Sequence, residues 1–398
     1  MSTIKTAKMV ARSRLVTAVM TAVVTAVVIG GIGWASIPDD RGVIHGCYKT
    51  SGTNHDLTVI DNAVTSQCPQ GYTGLDWSQS APQTDLSRVA TLDWYGGAYG
   101  GGSYGFNEPD AMVYDGSHLW VGNYAGNSVT ELDVGSGAWV QTLSGRPYRF
   151  HGPFAMAFDG THIWVGNAGD SVTELNASTG AWIQTLPRRS DRFNGPDAIA
   201  YDGTHLWVAN YGGNSITELD ASTGALVQTL SGGSYGFNEP GGAAFDGTHI
   251  WVTNNGGNSV TELDARTGAW VQTLSGGSYG FDDPEGVAFD GTHLWVGNSD
   301  GNSVTELDAS TGAWVQTLSG GSYGFDEPVE MAFDGTHIWV VENGSASVTE
   351  LDSATGAWVQ TLTGPSYGFD APYAVAFDGT HLWVANINGN SVTDLPAG

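Results

Sequence analysis

Hydrophobic and polar residues follow a pattern that repeats along most of the chain. In residues 284–318, short apolar runs alternate with Gly-, Asp- and Asn-rich turns: "PEGVAFD", "HLWVGN", "SVTELD" and "AWVQTL". The third run alternates polar and apolar residues, as a strand with one buried face does. An Asp-Gly pair after the first run favours a tight hairpin, and a Gly ends the turn after the third. The pattern predicts four antiparallel β-strands in each repeat.

The repeat occurs seven times. The Trp of the octapeptide "FDGTHLWV" and its near copies stands at positions 120, 164, 207, 251, 295, 339 and 383, which gives a period of 44 residues with one step of 43. A period of about 40–50 residues composed of short strands is typical of a β-propeller with one blade per repeat. The predicted fold class is therefore all-β, a seven-bladed β-propeller of four-stranded blades over residues 88–398.

The two ends of the repeat region predict how the ring closes. The last repeat stops at "SVTDLPAG" and lacks an outer strand, whereas "RVATLDW" (88–94) reads as an outer strand without a blade. Pairing these two segments gives a 3+1 clasp, in which strand 88–94 completes the last blade. The clasp removes a sheet edge that would otherwise invite aggregation.

The N-terminal residues predict export. Four basic residues among the first 14 precede an uncharged, largely apolar run at 15–33, and the small-residue site "GWAS" follows. This is typical of a signal peptide, and the run is also long enough for one membrane-spanning helix. We expect residues 1–36 to be a cleaved signal or a retained anchor, the only membrane contact of a secreted or surface-anchored protein. A small segment (37–77) and a linker (78–87) follow.

Cys47 and Cys68 are the only two cysteines of the chain. In an exported protein such a pair predicts a disulfide, which would stabilise a small segment by about 3 kcal/mol. A zinc site would need CxxC spacing, which is absent. The stretch from "IPDDRGVIHGCYKTSG" to "CPQGYTGLDW" resembles a short module behind the export signal of many Gram-positive surface proteins.

Charge is unevenly distributed along the chain. Residues 1–87 carry equal numbers of acidic and basic residues, so the whole formal charge of −28 falls on the repeat region. Such a surface repels phosphate backbones, which excludes nucleic acid as a partner.

The repeat "PxGVAFDGTHLWVAN…NSVTELDASTGAWVQTL" resembles the blades of the NHL and YVTN propeller families over residues 88–398. Its "LDASTG" turn is similar to quinoprotein blades, and its blade pattern is also similar to streptogramin lyase, a seven-bladed enzyme. The latter resemblance implies catalysis by a His and Glu residues with a metal. The matching candidates are His151, outside the octapeptides, and Glu342 in "WVVEN". They stand on the second and sixth repeats, about half a turn apart in the predicted ring. A general base must come within hydrogen-bond reach of the proton that it removes, so this separation departs from the lyase pattern.

The octapeptide itself reads as structural. Its seven His residues, one per blade, would lie around a ring, too far apart to share one metal ion. We expect each His to form hydrogen bonds at its hairpin and each Trp to supply apolar area to the blade core.

Differences among the repeats indicate the functional surface. They concentrate in the loop after the second strand and at the position after each inner-strand Pro: Asp110, Phe154, Asp197, Gly241, Glu285, Val329 and Tyr373. Both sets fall at the mouth of the central channel, here called the top face, where propellers bind ligands on a stiff scaffold. The sequence predicts ligand-binding roles for Asp110, Asp197, Glu285 and Tyr373.

Two charged clusters break the symmetry of this face. Two successive inter-blade loops contain His151 and five arginines, Arg146, Arg149, Arg188, Arg189 and Arg192. These could bind a carboxylate or phosphate, or form exposed ion pairs of little energetic value. The second cluster, Glu285, Asp300, Glu330 and Glu342, predicts a Ca²⁺ or Mg²⁺ site.

A frame copied almost unchanged, with differences confined to one face, favours a binding scaffold. We predict a monomer that binds an extracellular or envelope protein, a glycan or a small molecule. One alternative is a metal-assisted lyase or hydrolase. Another is a repetitive adhesive or glycan-binding protein. The inter-blade tyrosines could form its stacking platforms or, as is more usual, pack between blades: Tyr104, Tyr148, Tyr235, Tyr279, Tyr323 and Tyr367.

Overall fold

The computed structural model describes residues 104–187 and 193–397 and the backbone of four short strands nearer the N-terminus. These four form one antiparallel sheet in the order β1-β3-β2-β4. Their bounds are β1 (Met9–Val10), β2 (Val43–Lys49), β3 (Asp56–Ile60) and β4 (Tyr72–Ser78). The chain divides into two compact units, Met1–Leu92 and Asp93–Ala397.

Several predictions for the N-terminal unit fall outside the described residues. They concern the export segment apart from Met9–Val10, the predicted pairing of the Cys47 and Cys68 side chains, and the clasp strand at 88–94. Within the part of the chain that is described, no helix has the length and apolar character needed to cross a membrane.

The second unit is the predicted seven-bladed β-propeller, and each blade is an antiparallel meander. Blades 1 to 3 consist of β5 (Pro109–Tyr114), β6 (His118–Asn123), β7 (Ser128–Asp133) and β8 (Ala138–Ser144); β9 (Pro153–Phe158), β10 (His162–Asn167), β11 (Ser171–Asn176) and β12 (Trp182–Pro187); β13 (Pro196–Tyr201), β14 (His205–Asn210), β15 (Ser215–Asp220) and β16 (Leu226–Ser231). A single 3₁₀ turn (Tyr211–Gly213) lies among the described residues of blade 3.

The remaining blades repeat this order. Blades 4 to 7 consist of β17 (Pro240–Phe245), β18 (His249–Asn254), β19 (Ser259–Asp264) and β20 (Trp270–Ser275); β21 (Pro284–Phe289), β22 (His293–Asn298), β23 (Ser303–Asp308) and β24 (Trp314–Ser319); β25 (Pro328–Phe333), β26 (His337–Glu342), β27 (Ser347–Asp352) and β28 (Trp358–Thr363); β29 (Pro372–Phe377), β30 (His381–Asn386) and β31 (Ser391–Pro396). Over the described residues, blades 1 to 6 have four strands and blade 7 has three.

The inner strands form a closed ring. Each inner strand contacts those of both neighbouring blades, and contact between β29 and β5 joins the last blade to the first. The core lies between the blades: Trp251 and Val260 of blade 4 pack with Leu294 and Val296 of blade 5, all fully buried. Equivalent clusters occur at the other interfaces, and the one at the ring closure contains Trp383 and Leu119. The large apolar area of each Trp therefore holds neighbouring blades together.

The octapeptide is a structural element, as blade 6 shows. Asp334 accepts hydrogen bonds from the Trp339 indole (2.8 Å) and from the main-chain N–H of Thr336 and His337. Burial alone would raise the pKa of Asp334, but these hydrogen bonds outweigh it and lower the pKa. The His337 Nδ1 lies 3.2 Å from Asp334 Oδ2 and 3.3 Å from Glu350 Oε1. These contacts fix the hairpin and the orientation of the buried Trp.

Candidate functional site

All seven variable positions after the inner-strand prolines line one cavity of about 400 Å³, at the end of the channel where the inner strands begin. The ladder between the first and second strands shifts register just after this proline in every blade. Such a bulge redirects a side chain without interrupting the sheet, and bulges are common beside functional sites. The shared location predicted from the sequence is therefore observed.

One sector of the cavity is aromatic. Phe154 of blade 2 and Tyr373 of blade 7 face each other with ring centroids 5.9 Å apart, and Tyr124 lies edge-on to Phe154 at 6.0 Å. Both Phe154 and Tyr373 flank the inner strand of blade 1, which carries Asp110. The sector thus combines an apolar wall with one carboxyl group.

The rest of the wall is acidic. Asp197, Glu285 and Glu330, from blades 3, 5 and 6, line the cavity together with Asp110. The described residues that line it include no Lys, Arg or His. Gly241 of blade 4 leaves space that the Asn255 side chain fills, because a Cβ at Gly241 would overlap the Asn255 amide oxygen.

Burial raises the pKa of each of these four carboxyl groups. Those of Asp110, Asp197 and Glu330 rise to about 7, and that of Glu285 rises to about 8. Neighbouring carboxylates add to desolvation in three cases: Glu108 acts on Asp110, Glu330 acts on Asp197, and Asp283 is the strongest of those acting on Glu285. The pKa of Tyr373 is also raised. Burial is the largest cause, and the charges of all four carboxylates add to it. The groups therefore share one electrostatic environment.

Two oxygen atoms in the wall have no hydrogen-bond partner among the described residues. They are Oδ1 of Asp110 and Oδ1 of Asn255, whose side chains belong to residues only 7% and 9% exposed. The Asn255 amide group donates a hydrogen bond to Asp283, so its orientation leaves the oxygen in the wall. Buried polar atoms are nearly always paired. Two unpaired acceptors beside one cavity leave hydrogen-bonding capacity that a ligand with N–H or O–H groups could use.

The structure separates the four residues of the predicted metal site. Glu285 and Glu330 line the cavity, and Asp300 is exposed in the turn after β22. Glu342 is fully buried at the end of β26, where it accepts hydrogen bonds from Ser345 (2.9 Å) and Ser347 (2.7 Å). Over the described ranges, no three His, Cys, Asp or Glu side chains are placed to share a metal ion.

The residues suggested by the lyase resemblance also lie apart. His151 is exposed in the loop before β9, where its main-chain N–H donates to Asn167 Oδ1 and its ring lies over Gly169. Glu342 belongs to blade 6. Arg146 and Arg149 are exposed in the loop that contains His151. The other members of the predicted basic cluster, Arg188, Arg189 and Arg192, lie outside the described residues.

The inter-blade tyrosines pack against the protein. In six inter-blade loops of the described chain, a Tyr stacks on the Phe two residues later; Tyr279 and Phe281, for example, have centroids 5.4 Å apart and an 8° interplanar angle. Five outer strands each expose a Trp ring, with exposures between 39% and 48%: Trp139, Trp182, Trp270, Trp314 and Trp358. Tyr124 (38%) and Tyr211 (37%), in loops after second strands, are exposed as well. The "AWVQTL" copies, which the repeat pattern predicts as the outer strands, contain them, but the apolar residues of this run did not indicate that its Trp would be exposed.

Three further residues of the wall were not singled out in the sequence. Tyr211 and Asn255 come from the variable loops "NYGGN" and "NNGGN", and Asp283 precedes the proline of β21. The variability of the loops was the available signal. Which loop residues reach the channel depends on how the loops fold over the ring.

Comparison with known proteins supports the fold. A family model described as outer membrane protein assembly factor BamB matches residues 125–280. A streptogramin B lyase structure is 18% identical, with a TM-score of 0.60, over 74% of this chain and 94% of that one. Hydrazine synthase of Kuenenia stuttgartiensis is 22% identical, with a TM-score of 0.61, over 75% of this chain and 97% of that one.

A catalytically inactive virginiamycin B lyase from Staphylococcus aureus, with quinupristin, is 16% identical, with a TM-score of 0.61, over 73% of this chain and 95% of that one. No curated protein sequence matches the chain. The chain is thus a seven-bladed β-propeller that resembles streptogramin lyases in fold. At these identities the likeness concerns the fold alone.

Proposed function

We propose that the protein is an exported β-propeller that binds a ligand in the cavity at its top face. One observation carries this proposal: the seven positions that differ among otherwise copied blades all line the same cavity. A cavity of about 400 Å³ is within the range that holds small molecules. The ligand would be a small molecule or a short segment of an extracellular or envelope partner.

Export is proposed from the basic residues and apolar run of the N-terminus. The matched family model, whose description names an outer membrane protein assembly factor, supports a place in the cell envelope. Cleavage after the apolar run would release the protein as a secreted form, whereas an uncleaved run would anchor it at the cell surface.

Ligand screening by thermal unfolding tests the binding proposal. We expect at least one small-molecule class to raise the Tm of the full-length protein. A Phe154→Ala/Tyr373→Ala variant should lose this rise, because it removes the aromatic wall. A Ser310→Ala variant, altered in an exposed turn between β23 and β24, is the control and should keep it. A rise of equal size in all three proteins would place the ligand elsewhere and contradict the proposal.

A repetitive glycan-binding function is the second candidate, and the outer-strand tryptophans favour it. The Trp314 indole N–H donates to Thr317 Oγ1 at 2.9 Å, and Trp139, Trp182, Trp270 and Trp358 form the same bond. Aromatic rings pinned in this way and exposed at repeated positions could stack on sugars. Glycan binding at this rim would be unchanged in the Phe154→Ala/Tyr373→Ala variant. The metal-assisted lyase or hydrolase with Ca²⁺ or Mg²⁺ stays a prediction.

A further inference from the structure

We infer that the cavity binds a small organic cation with two or more amino or guanidino groups, such as a polyamine. This inference rests on the proposed function and names the chemical class of its ligand. Five carboxyl groups from four blades line one cavity, those of Asp110, Asp197, Asp283, Glu285 and Glu330, and the described lining residues contain no cationic side chain to balance them. Anionic ligands would be repelled, and neutral ligands would leave the charges unpaired.

The spacing of the carboxyl groups favours an extended cation over a metal ion. Ca²⁺ gathers six to eight oxygen ligands at about 2.3–2.6 Å from one point. Among the described residues, no three acidic groups converge in this way. Asp110, Asp197, Glu285 and Glu330 are instead distributed around the ring on blades 1, 3, 5 and 6. A ligand whose positive charges are separated by an aliphatic chain can reach several of them at once.

The unpaired acceptors fit the donors of such a ligand. Asp110 and Asn255 are each more than nine-tenths buried, and the Oδ1 atom of each has no hydrogen-bond partner among the described residues. An ammonium group carries three N–H donors and no acceptor, and a guanidinium carries five donors. Both oxygens are closed to solvent in the unliganded cavity. A cation that reaches them after a rotation of the Asp110 or Asn255 side chain would satisfy them and would not introduce another unpaired acceptor.

The aromatic sector supplies the remaining complementarity. Phe154 and Tyr373 form a wall beside Asp110, and Tyr211 lines the cavity near Asp197 and Asp283. Aromatic faces attract organic cations through their quadrupoles and also contact methylene groups. The combination of aromatic faces with carboxylates suits an alkylamine better than it suits a hydrated inorganic ion.

Binding should be coupled to proton release. The groups that face Glu285 electrostatically are all acidic: Asp283, Asp197, Glu330 and Glu327. The carboxylates that act on Tyr373 are Glu285, Asp197, Glu330 and Asp110. The raised pKa values mean that part of this set is protonated near neutral pH when no cation is bound. A bound cation favours the ionised forms, so it expels protons and binds more tightly as the pH rises, until the amine itself deprotonates near pH 10.

Titration calorimetry with spermidine tests this inference on the full-length protein at 0.3 M NaCl. We expect spermidine to bind at least ten-fold more tightly at pH 8.5 than at pH 6, with proton release detected from the buffer dependence of the heat. 1,4-Butanediol, which has a similar chain without charge, should not bind. An Asp197→Asn/Glu330→Gln variant should bind spermidine at least ten-fold more weakly at pH 8.5.

The control variant removes two equally negative side chains far from the cavity. In the Asp220→Asn/Asp308→Asn variant, each changed residue accepts hydrogen bonds from a Ser and a Thr hydroxyl of its own turn. Asn176 of blade 2 already accepts the same pair of hydrogen bonds, so the variant should keep these turns. It should bind spermidine like the wild type. Equal weakening in both variants would attribute the binding to the overall surface charge and overturn the inference. Binding that does not depend on pH would also overturn it, as would a preference for Ca²⁺ or Mg²⁺ at these carboxylates.

The outcomes also separate the two proposals. If a neutral or anionic ligand binds and requires the Phe154/Tyr373 wall, the inferred cation is wrong and the binding function stands. If no ligand of any class requires that wall, both are wrong.

Discussion

At the scale of single residues, Glu342 occupies a strand end at which the other six blades have Asn. In blade 7 the equivalent Asn386 donates to Thr393 Oγ1 at 3.0 Å and accepts the Asp370 main-chain N–H at 3.3 Å. Glu342 replaces this neutral amide by a fully buried carboxyl group whose Oε1 has no partner among the described residues. Burial raises its pKa, although hydrogen bonds from Thr349, Ser347 and Ser345 oppose the rise. It is therefore a costly group at a structural position.

Replacing Glu342 by Asn should stabilise the protein. We expect Glu342→Asn to raise the free energy of unfolding by about 1–2 kcal/mol at pH 8, because a buried, incompletely paired carboxylate is removed. The gain should shrink at pH 5. Because the folded-state pKa of Glu342 is raised, the wild-type protein loses stability as the pH rises through that pKa, and at low pH this loss is absent. Urea denaturation at both pH values measures this. Asn298→Glu in blade 5 is the reciprocal control and should destabilise. A loss of stability in Glu342→Asn at both pH values would show that the carboxylate supports the fold.

At the scale of elements, the third strand of blade 7 differs from its six counterparts. In blade 5, Glu306 accepts a 2.6 Å hydrogen bond from Gln316 of the outer strand, and β23 is almost entirely buried. In blade 7, Asp394 stands in place of the Glu, burial raises its pKa to about 6, and β31 is only half-buried. Exposed backbone at a sheet edge is a template for pairing. The edge of β31 is thus suited to the predicted strand at 88–94.

Disrupting residues 88–94 should expose β31. In a β-strand, the N–H groups of adjacent residues point in opposite directions. In an Ala90→Pro/Thr91→Pro variant, one of the two prolines would therefore remove a hydrogen bond to β31, whichever way the predicted strand faces. We expect amide exchange in β31 to rise at least ten-fold, with exchange in β23 much less affected and a lower Tm. Ser80→Pro, in the predicted linker, is the control. Rapid exchange of β31 in the wild type would mean that the clasp does not form.

At the scale of the whole molecule, the ring concentrates acidic groups that are distant in the sequence. Asp110 and Glu330 stand 220 positions apart and line the same cavity. The formal charge of −28 already opposes compaction at neutral pH. The cavity adds to this cost, because its carboxyl groups lose hydration without gaining cationic partners among the described residues.

The stability of the unliganded protein should fall as the pH rises from 6 to 8.5. The folded-state pKa values of Asp110, Asp197, Glu285 and Glu330 lie above those of ordinary carboxyl groups, so the folded state binds more protons than the unfolded state in this range. We expect a decrease of about 2–6 kcal/mol in the free energy of unfolding, the upper value applying if the four groups titrate independently. Urea denaturation in 0.5 M NaCl, which screens the surface charges, measures it. Asp197→Asn/Glu330→Gln should remove about half of the slope. An unchanged slope in this variant would locate the effect outside the cavity.

The sequence allowed much of the fold and part of the site to be predicted. The seven variable positions were recognised because repeats can be compared with one another, and their shared location follows from equivalent places on equivalent blades. The sequence did not show that Glu342, at a strand end, accepts hydrogen bonds from Ser345 and Ser347 of its own blade, and metal binding by the predicted set stays a prediction. The inter-blade tyrosines proved to be packing residues because each has a Phe two positions later on which it stacks.

The sequence by itself determined the blade count, the order of strands and the structural role of the octapeptide. A 44-residue period of short strands must bury one Trp per repeat, and a closed ring of blades achieves this while leaving only short sheet edges. Only the tertiary structure decided which side chains share the cavity, which acceptors are unpaired and how far each pKa shifts. These properties depend on burial and on distances between residues of different blades, and such distances arise only when the ring closes.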